Sequence, residues 1–207
     1  MARKPQTKAR KHASQDRSRA TVDALIEATA RILVKEGFDK ASTNRIAEEA
    51  GVSIGSLYQY YPGKEALVMA VIARHNQELM QVSRAALAEV ASQPVATAVR
   101  RLVAAAIKAH RIAPKLHRVL AEQLPRTGSL ENAEGFNRET YGLFRGYLED
   151  HRAELRVTDL ELAAYMCVTS IEALTHNAVL HRPDMLTNEG VEMLVEETTR
   201  LVVGYLQ

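Results

Sequence analysis

The chain of 207 residues contains no tryptophan, only three phenylalanines and a single cysteine. One cysteine, Cys167, excludes an intramolecular disulfide framework and a zinc site built on several thiolates, and it suits a reducing compartment. No stretch approaches the roughly 18 uninterrupted apolar residues of a membrane span. The basic first residues are not followed by the apolar run of a secretory signal. We therefore expect a cytoplasmic protein that does not enter a membrane.

Charge is distributed unevenly along the chain, although the formal net charge is only +2. Residues 1–19 contain seven Lys or Arg and one acid, Asp16, so they carry +6 and the remaining residues carry −4. Residues 1–18 show no apolar pattern, and we expect this basic arm to be disordered when free. The arm fits either a polyanionic partner or a solubilising tail, and charge alone does not choose between them.

The rest of the chain is predicted to be helical nearly throughout. Apolar residues recur at helical spacing, no run alternates as a strand does, and most of the six prolines fall between the periodic segments. A change in residue character after Lys64 predicts a small domain at 19–65 and a larger one at 66–207. The predicted helices are 19–36, 43–50, 54–60, 63–90, 95–112, a short one between Pro114 and Pro125, 137–155, 158–182 and 188–206.

Residues 42–60 have the pattern of a helix-turn-helix, in which two short helices cross over a tight turn. Gly51 can adopt the positive φ that ends the first helix. Ser42 or Thr43 can cap the first helix, and Ser53 can cap the second. The pattern predicts a small nucleic-acid-binding domain.

The outward side of the second helix carries short or polar side chains and no acid. This suits a helix that enters the major groove of DNA, because a carboxylate there would face phosphates. Tyrosine hydroxyls can reach phosphate, although the alternative for Tyr58 and Tyr60 is a half-buried tyrosine bonded to backbone. Arg45 is either a phosphate contact or solvated, and Tyr61 is expected in the core. The candidate DNA-binding residues are Thr43, Asn44, Arg45, Ser53, Ile54, Gly55, Ser56, Tyr58, Gln59, Tyr60 and Lys64.

The string TNRIAEEAGVSIGSLYQYYPGKEALV, preceded by Gly37 and Phe38, closely resembles the DNA-binding signature of TetR-family transcriptional regulators over about residues 20–68. Tyr61 is a conservative departure, at a place more often filled by Phe. The resemblance implies an all-α homodimer. Each subunit would have an N-terminal three-helix helix-turn-helix head on a larger helical body that binds a ligand and dimerises. It also implies a bacterial protein that binds double-stranded DNA and is not an enzyme.

Polar groups on the largely apolar helices of the body suit the wall of a ligand cavity. The alternative for each is a satisfied residue of the core or of the dimer interface. Glu172 and His176 lie one turn apart and can hold a polar ligand atom together or pair with each other. No motif supports catalysis by Cys167, or a metal site from His110, His117 and Glu172, so no metal or cofactor is expected. The candidate ligand-binding residues are His110, His117, Tyr141, Phe144, Met166, Cys167, Thr169, Glu172 and His176.

The last two helices are the expected dimer interface, because their apolar faces would otherwise be exposed. A repressor of a palindromic operator follows, with a small and largely apolar inducer that tilts the helix beginning near Lys64 and so changes the spacing of the two heads. The alternative is a dimer without a ligand, which has a filled core and is controlled by a protein partner. The candidate interface residues are Ile171, Leu174, Leu194, Val195, Thr198, Leu201, Val202 and Tyr205.

Overall fold

The computed structural model describes the backbone of residues 16–127 and 130–207, and the side chains of residues 18–121, 138–182 and 184–207. Every regular element in these ranges is helical, which confirms the all-α prediction. None of the described helices combines the length and apolar character that crossing a bilayer requires. The α-helices are α1 (Asp16–Glu36), α2 (Thr43–Glu49), α3 (Ile54–Tyr60), α4 (Lys64–Val90), α5 (Val95–Ile112), α6 (Pro114–Thr127), α7 (Leu130–Asp150), α8 (Leu160–His181) and α9 (Asn188–Leu206).

Most of these bounds agree with the predicted helices to within two residues, and the differences lie in α1, α6 and α7. α1 begins at Asp16, so the last three residues of the predicted disordered arm are helical, and residues 1–15 lie outside the described part of the chain. α6 continues past Pro125 to Thr127. α7 begins at Leu130, seven residues before its predicted start, and it ends at Asp150 because a 3-10 turn at Arg152–Glu154 follows it.

Contacts divide the chain into two compact units. The first comprises the chain up to His75 together with Lys115–Leu130, and the second comprises Asn76–Pro114 with Glu131–Gln207. The division falls within α4, ten residues after the predicted boundary, and α6 groups with the first unit. Long stretches of α4 therefore belong to each of the two units.

The core of the first unit is built by the inward faces of α1, α2, α3 and the first part of α4. Thr29, the one polar residue on the apolar face of α1, donates its hydroxyl to the Leu25 carbonyl at 2.7 Å. Tyr61 is 4% exposed, which confirms its predicted place in the core, and burial raises the pKa of its phenol. The largest fully buried side chains here include Leu25, Leu33, Ile46, Leu57 and Leu67.

The core of the second unit forms where α5 packs against α8 and α9. The side chain at the N-cap of α5, Pro94, makes no capping bond. Glu154 replaces it, because its carboxylate accepts a hydrogen bond from the Val95 amide at 2.9 Å. Nearby, the Tyr147 hydroxyl donates to the Gln93 carbonyl at 2.7 Å, and burial raises the pKa of Tyr147 to about 12. These two bonds fix the connection between α4 and α5.

Most of the residues predicted at the dimer interface lie inside this core instead. Leu174 and Leu201 are exposed and Tyr205 is half-buried. The apolar face of α9 is covered by α5 of the same chain. The expectation that this face is exposed in one subunit is therefore wrong. The predicted interface residues that are buried within the chain are Ile171, Leu194, Val195, Thr198 and Val202.

α9 starts against the 3-10 turn at Pro183–Leu186. A β-carbon added to Gly190 would lie 2.8 Å from the α-carbon of Met185 and 2.9 Å from its carbonyl carbon and oxygen. The side chain of Thr187 caps α9 by accepting a hydrogen bond from the Gly190 amide at 3.1 Å. The close backbone contact and the cap together fix where α9 begins, and the contact requires glycine.

Candidate nucleic-acid interface

α2, the turn and α3 form the predicted helix-turn-helix. Gly51 has a φ of 66°, as predicted for the residue that ends the first helix. Ser42, rather than Thr43, caps α2 by accepting a hydrogen bond from the Arg45 amide at 3.3 Å. Ser53 caps α3 by accepting from the amide of Ser56 at 3.1 Å, which confirms its predicted role. Local sequence signals thus determine both helix starts.

The outer face of α3 is exposed and carries no acid. Ile54 and Tyr58 are 38% and 42% exposed, and Gly55 and Gln59 are exposed between and beside them. The Tyr58 hydroxyl lies 3.0 Å from the hydroxyl of Thr43 at the start of α2. Each hydroxyl has one hydrogen and the mutual bond uses one of the two, so the other can be donated outward to a phosphate oxygen.

Tyr60 does not lie on the outer face. It is 8% exposed, and its hydroxyl lies 2.7 Å from the hydroxyl of Ser18 in α1. Tyr60 follows the buried Leu57 by three residues, which places both on the inner side of α3. The prediction that Tyr60 lies at the exposed side is therefore wrong. No local signal identified Ser18, because the two residues are 42 positions apart in the chain.

Two cations predicted at this surface already have partners within the first unit. The Lys64 ammonium donates to the Phe38 carbonyl at 3.2 Å and lies 4.2 Å from the centre of the Phe38 ring. The Arg45 guanidinium pairs with the Glu36 carboxylate at 2.6 Å. Each cation keeps further N–H donors, so these contacts position the groups and leave donors for a second partner. Asn44 is exposed beside Arg45.

Several predicted ligand-binding residues lie together in the second unit, along one face of α8. Thr169, Glu172 and His176 recur at intervals of three and four residues and so share that face. The Thr169 hydroxyl lies 3.2 Å from the hydroxyl of Tyr141 in α7. The His176 ring meets the ring of His110 in α5 edge-on, with 6.4 Å between their centres. We use the name α8 stripe for this set together with its two neighbours on other helices, that is, for Thr169, Glu172, His176, Tyr141 and His110.

The carboxyl and the two imidazoles of the α8 stripe are shifted toward their neutral forms. Burial raises the pKa of Glu172 to about 7. Burial lowers the pKa of His176, and the charges of His110 and His181 lower it further. Burial also lowers the pKa of His110, against the opposing effect of its hydrogen bond to the Ala106 carbonyl. Both stripe imidazoles are therefore mainly neutral at pH 7.

The other predicted ligand-binding residues are not members of the α8 stripe. Phe144 and Cys167 are buried in the core of the second unit, and Met166 is exposed. Burial raises the pKa of the Cys167 thiol to about 12, so this cysteine has no nucleophilic character at neutral pH. His117 is buried in the first unit, where its Nδ1 lies 3.0 Å from Nε2 of His75. His75 follows the buried Ile72 by three residues, a spacing that predicts burial but not this partner.

Two family models match this chain, one over the helix-turn-helix and one over most of the rest of the chain. Residues 25–71 match the model described as bacterial regulatory proteins, tetR family, and residues 94–206 match the tetracyclin repressor-like C-terminal domain. The chain belongs to the TetR family. It is a DNA-binding transcriptional regulator with a helix-turn-helix, and not an enzyme.

Relatives with assigned roles resemble this TetR-family chain over part of its length. The repressor KstR of Mycolicibacterium smegmatis is 34% identical over 65 residues, which cover 31% of this chain and 32% of KstR. The nucleoid occlusion factor SlmA of Haemophilus ducreyi is 29% identical over 116 residues, which cover 56% of this chain and 55% of SlmA. The chain thus spans about a third to a half of these relatives.

Solved structures resemble the TetR-family chain over nearly its whole length. The fatty acid degradation regulator FadR of Bacillus halodurans has a TM-score of 0.68 and 21% identity, and the match covers 90% of this chain and 96% of FadR. A TetR-family regulator of Haemophilus influenzae has a TM-score of 0.65 and 18% identity, with 90% and 98% covered. At such identities the likeness shows the shared fold.

Proposed function

We propose that this TetR-family protein is a repressor that binds a palindromic operator as a homodimer and is released by a small ligand. The DNA-binding half of the proposal is carried by one observation, the acid-free outer face of α3. That face ends in the hydroxyl pair of Tyr58 and Thr43, which can donate to phosphate. In this proposal the exposed Gln59 bonds adenine in the major groove, and the exposed Ile54 contacts a thymine methyl. The hydroxyl pair then holds the flanking backbone.

A second copy of the chain is proposed to cover the exposed apolar side chains of α8 and α9. Six large apolar side chains are exposed on these two helices, and grouped exposed apolar side chains are typical of a protein interface. These exposed side chains, rather than the buried ones named from the sequence, form the proposed interface. With the dimer formed, two recognition helices lie about one turn of DNA apart, roughly 34 Å, and match a palindrome. The exposed residues are Leu162, Tyr165, Met166, Leu174, Met193 and Leu201.

The α8 stripe is the proposed site of ligand contact in the second unit. It joins hydroxyl, carboxyl and imidazole groups on helices that also build the apolar core of the second unit, as expected for a pocket that holds a largely apolar molecule by a few polar atoms. α4 contributes to both units. A ligand that prefers the position of α4 in the state that does not bind DNA therefore lowers the population of the DNA-binding state. The extent of release is set by the ligand's relative affinity for the two states.

The proposal is tested by selecting duplexes from a random DNA library with the purified full-length protein, near physiological salt and with excess competitor DNA. Recovery of a palindrome with two half-sites is the expected result, and it supplies the probe for a screen of inducers. Sequence-blind, salt-sensitive binding alone would contradict the repressor function. That outcome would favour the alternative, a dimer without a ligand that is controlled by a protein partner.

Removing the Tyr58 hydroxyl is expected to weaken operator binding. Tyr58→Phe should raise the operator Kd about tenfold, because one hydrogen bond to a charged phosphate is worth about 1.5 kcal/mol. Thr43→Val should act similarly, and the double variant should lose less than the sum of the two, because the hydroxyls are bonded to each other. Fluorescence anisotropy with a labelled operator measures the Kd values. Tyr205→Phe on α9 is the matched control, and equal affinities of Tyr58→Phe and the control would rule out the assignment.

Removing residues 1–15 is expected to weaken binding to every duplex. These residues contain five Lys or Arg and no acid, and each phosphate contact that they make steepens the salt dependence of binding. The slope of log K against log salt should become shallower by up to about 0.9 for each lost contact. Titrations of operator and random duplex at several salt concentrations measure it. A control arm with those five residues changed to Gln should match the deletion, and an unchanged slope for both would contradict a phosphate contact.

A further inference from the structure

Gly55, the second residue of α3, is a helical glycine that the fold itself does not require. A glycine lowers helix stability relative to alanine because its backbone loses more freedom on folding. Among the described residues, positive φ angles occur at Gly37 and Gly51, and Gly55 does not share that conformation. A β-carbon on Gly55 would have Ser53 Oγ as its nearest neighbour at 3.9 Å, which is an ordinary contact. The first unit therefore has room for alanine here.

The position of Gly55 suggests why a side chain is missing. The exposed side chains of Ile54 and Tyr58 rise next to it, and Gln59 lies one turn later on the same side of the helix. The outer face of α3 thus has a hollow with bare backbone at its base, bordered by larger groups. A partner surface that enters the hollow would contact the helix backbone at Gly55 directly. Any other residue at this position would keep that surface further away by its β-carbon.

We propose that Gly55 is the point of closest approach between α3 and the base pairs of the operator. The inference rests on the proposed function and adds a specificity-determining residue to it. The hollow lets α3 settle into the major groove far enough for Ile54 and Gln59 to reach base edges. A side chain at position 55 holds the helix away from the bases. The phosphate contacts of the arm and of Thr43 and Tyr58 tolerate that displacement better, because phosphates are bound without sequence preference.

The experiment compares Gly55→Ala and Gly55→Leu with Gly142→Ala in the full-length protein. Gly142 is an exposed helical glycine of α7, and a β-carbon added to it meets nothing within 4 Å. Both alanine variants should melt at least as high as the wild type, because each removes a flexible residue from the unfolded chain. Operator affinity should fall about tenfold in Gly55→Ala, the size of one lost base contact, and about a hundredfold in Gly55→Leu. Affinity for random duplex at low salt should change less than about twofold in all three variants, because that binding rests on phosphates.

Three results would overturn the inference. Wild-type operator affinity in Gly55→Leu would show that nothing enters the hollow. An equal loss for operator and random duplex would show that position 55 contacts only the DNA backbone. A lower melting temperature in Gly55→Ala would show that the fold itself needs the glycine. A wild-type protein that selects no operator at all refutes the proposed function instead, so the two failures are distinguishable.

Discussion

Gly190→Ala is expected to lower the free energy of unfolding by about 2–3 kcal/mol, in the upper part of the range for overpacking. The added methyl would lie under 3 Å from three backbone atoms of Met185, and backbone cannot move aside as a flexible side chain does. The start of α9 and the turn before it must therefore separate. Urea denaturation followed by circular dichroism measures the loss, which should appear as a lower midpoint with an unchanged slope.

Gly146→Ala is the control for this change. Gly146 is also helical, in α7 of the same unit, and its added β-carbon meets nothing within 4 Å. The control should be as stable as the wild type or slightly more so, because alanine is the better helix former. Equal midpoints for Gly190→Ala and Gly146→Ala would refute the close contact between α9 and the turn.

Glu172→Gln is expected to stabilise the protein at pH 8 and to have much less effect at pH 5. The folded chain holds the Glu172 proton more tightly than the unfolded chain, because burial raises its pKa to about 7 from an ordinary 4.5. The stability gained from that proton is complete below about pH 4.5 and is lost as pH rises through about 7. The full difference corresponds to about 3 kcal/mol. Solvent around this half-buried carboxyl reduces the expected gain for Gln to about 1–2 kcal/mol.

Thermal unfolding of both proteins at pH 5 and pH 8 measures this dependence. Glu78→Gln is the control, because Glu78 is an exposed residue of α4 in the same unit. The control should change the melting temperature by a similar small amount at both pH values. If Glu172→Gln behaved in the same way, the carboxyl of Glu172 would have to be well solvated in the folded protein, against its position in the α8 stripe.

The parts of the structure that the sequence predicts well are those set by neighbours in the chain. The positive φ of Gly51, the cap at Ser53 and the bounds of α3, α5 and α9 each depend on a few consecutive residues. Such signals act through backbone geometry and local hydrogen bonds, so they can be recognised in the sequence without knowledge of the fold. They are sufficient to place the helix-turn-helix, whereas the family is indicated by the resemblance of the whole string to a known signature.

The sequence predicts less well which partner covers an apolar face. Periodicity identified the buried face of α9, but it does not state whether the cover comes from a second subunit or, as found, from α5. Tyr60 was misplaced for the same reason, because its contact with Ser18 joins distant parts of the chain. The contact of Gly190 with Met185 depends on the path of the turn between α8 and α9, which no residue pattern specifies.

The bond between Ser18 and Tyr60 has a consequence for the fifteen residues that precede α1. It fixes Ser18, near the start of α1, beside Tyr60 at the end of α3, so the five cations of residues 1–15 are covalently attached close to the helix-turn-helix. Fifteen residues reach at most about 50 Å even when extended. Within that radius their effective concentration is in the millimolar range, which favours contacts too weak to form between separate molecules. Affinity should then vary gently with arm length and steeply with the number of cations on it.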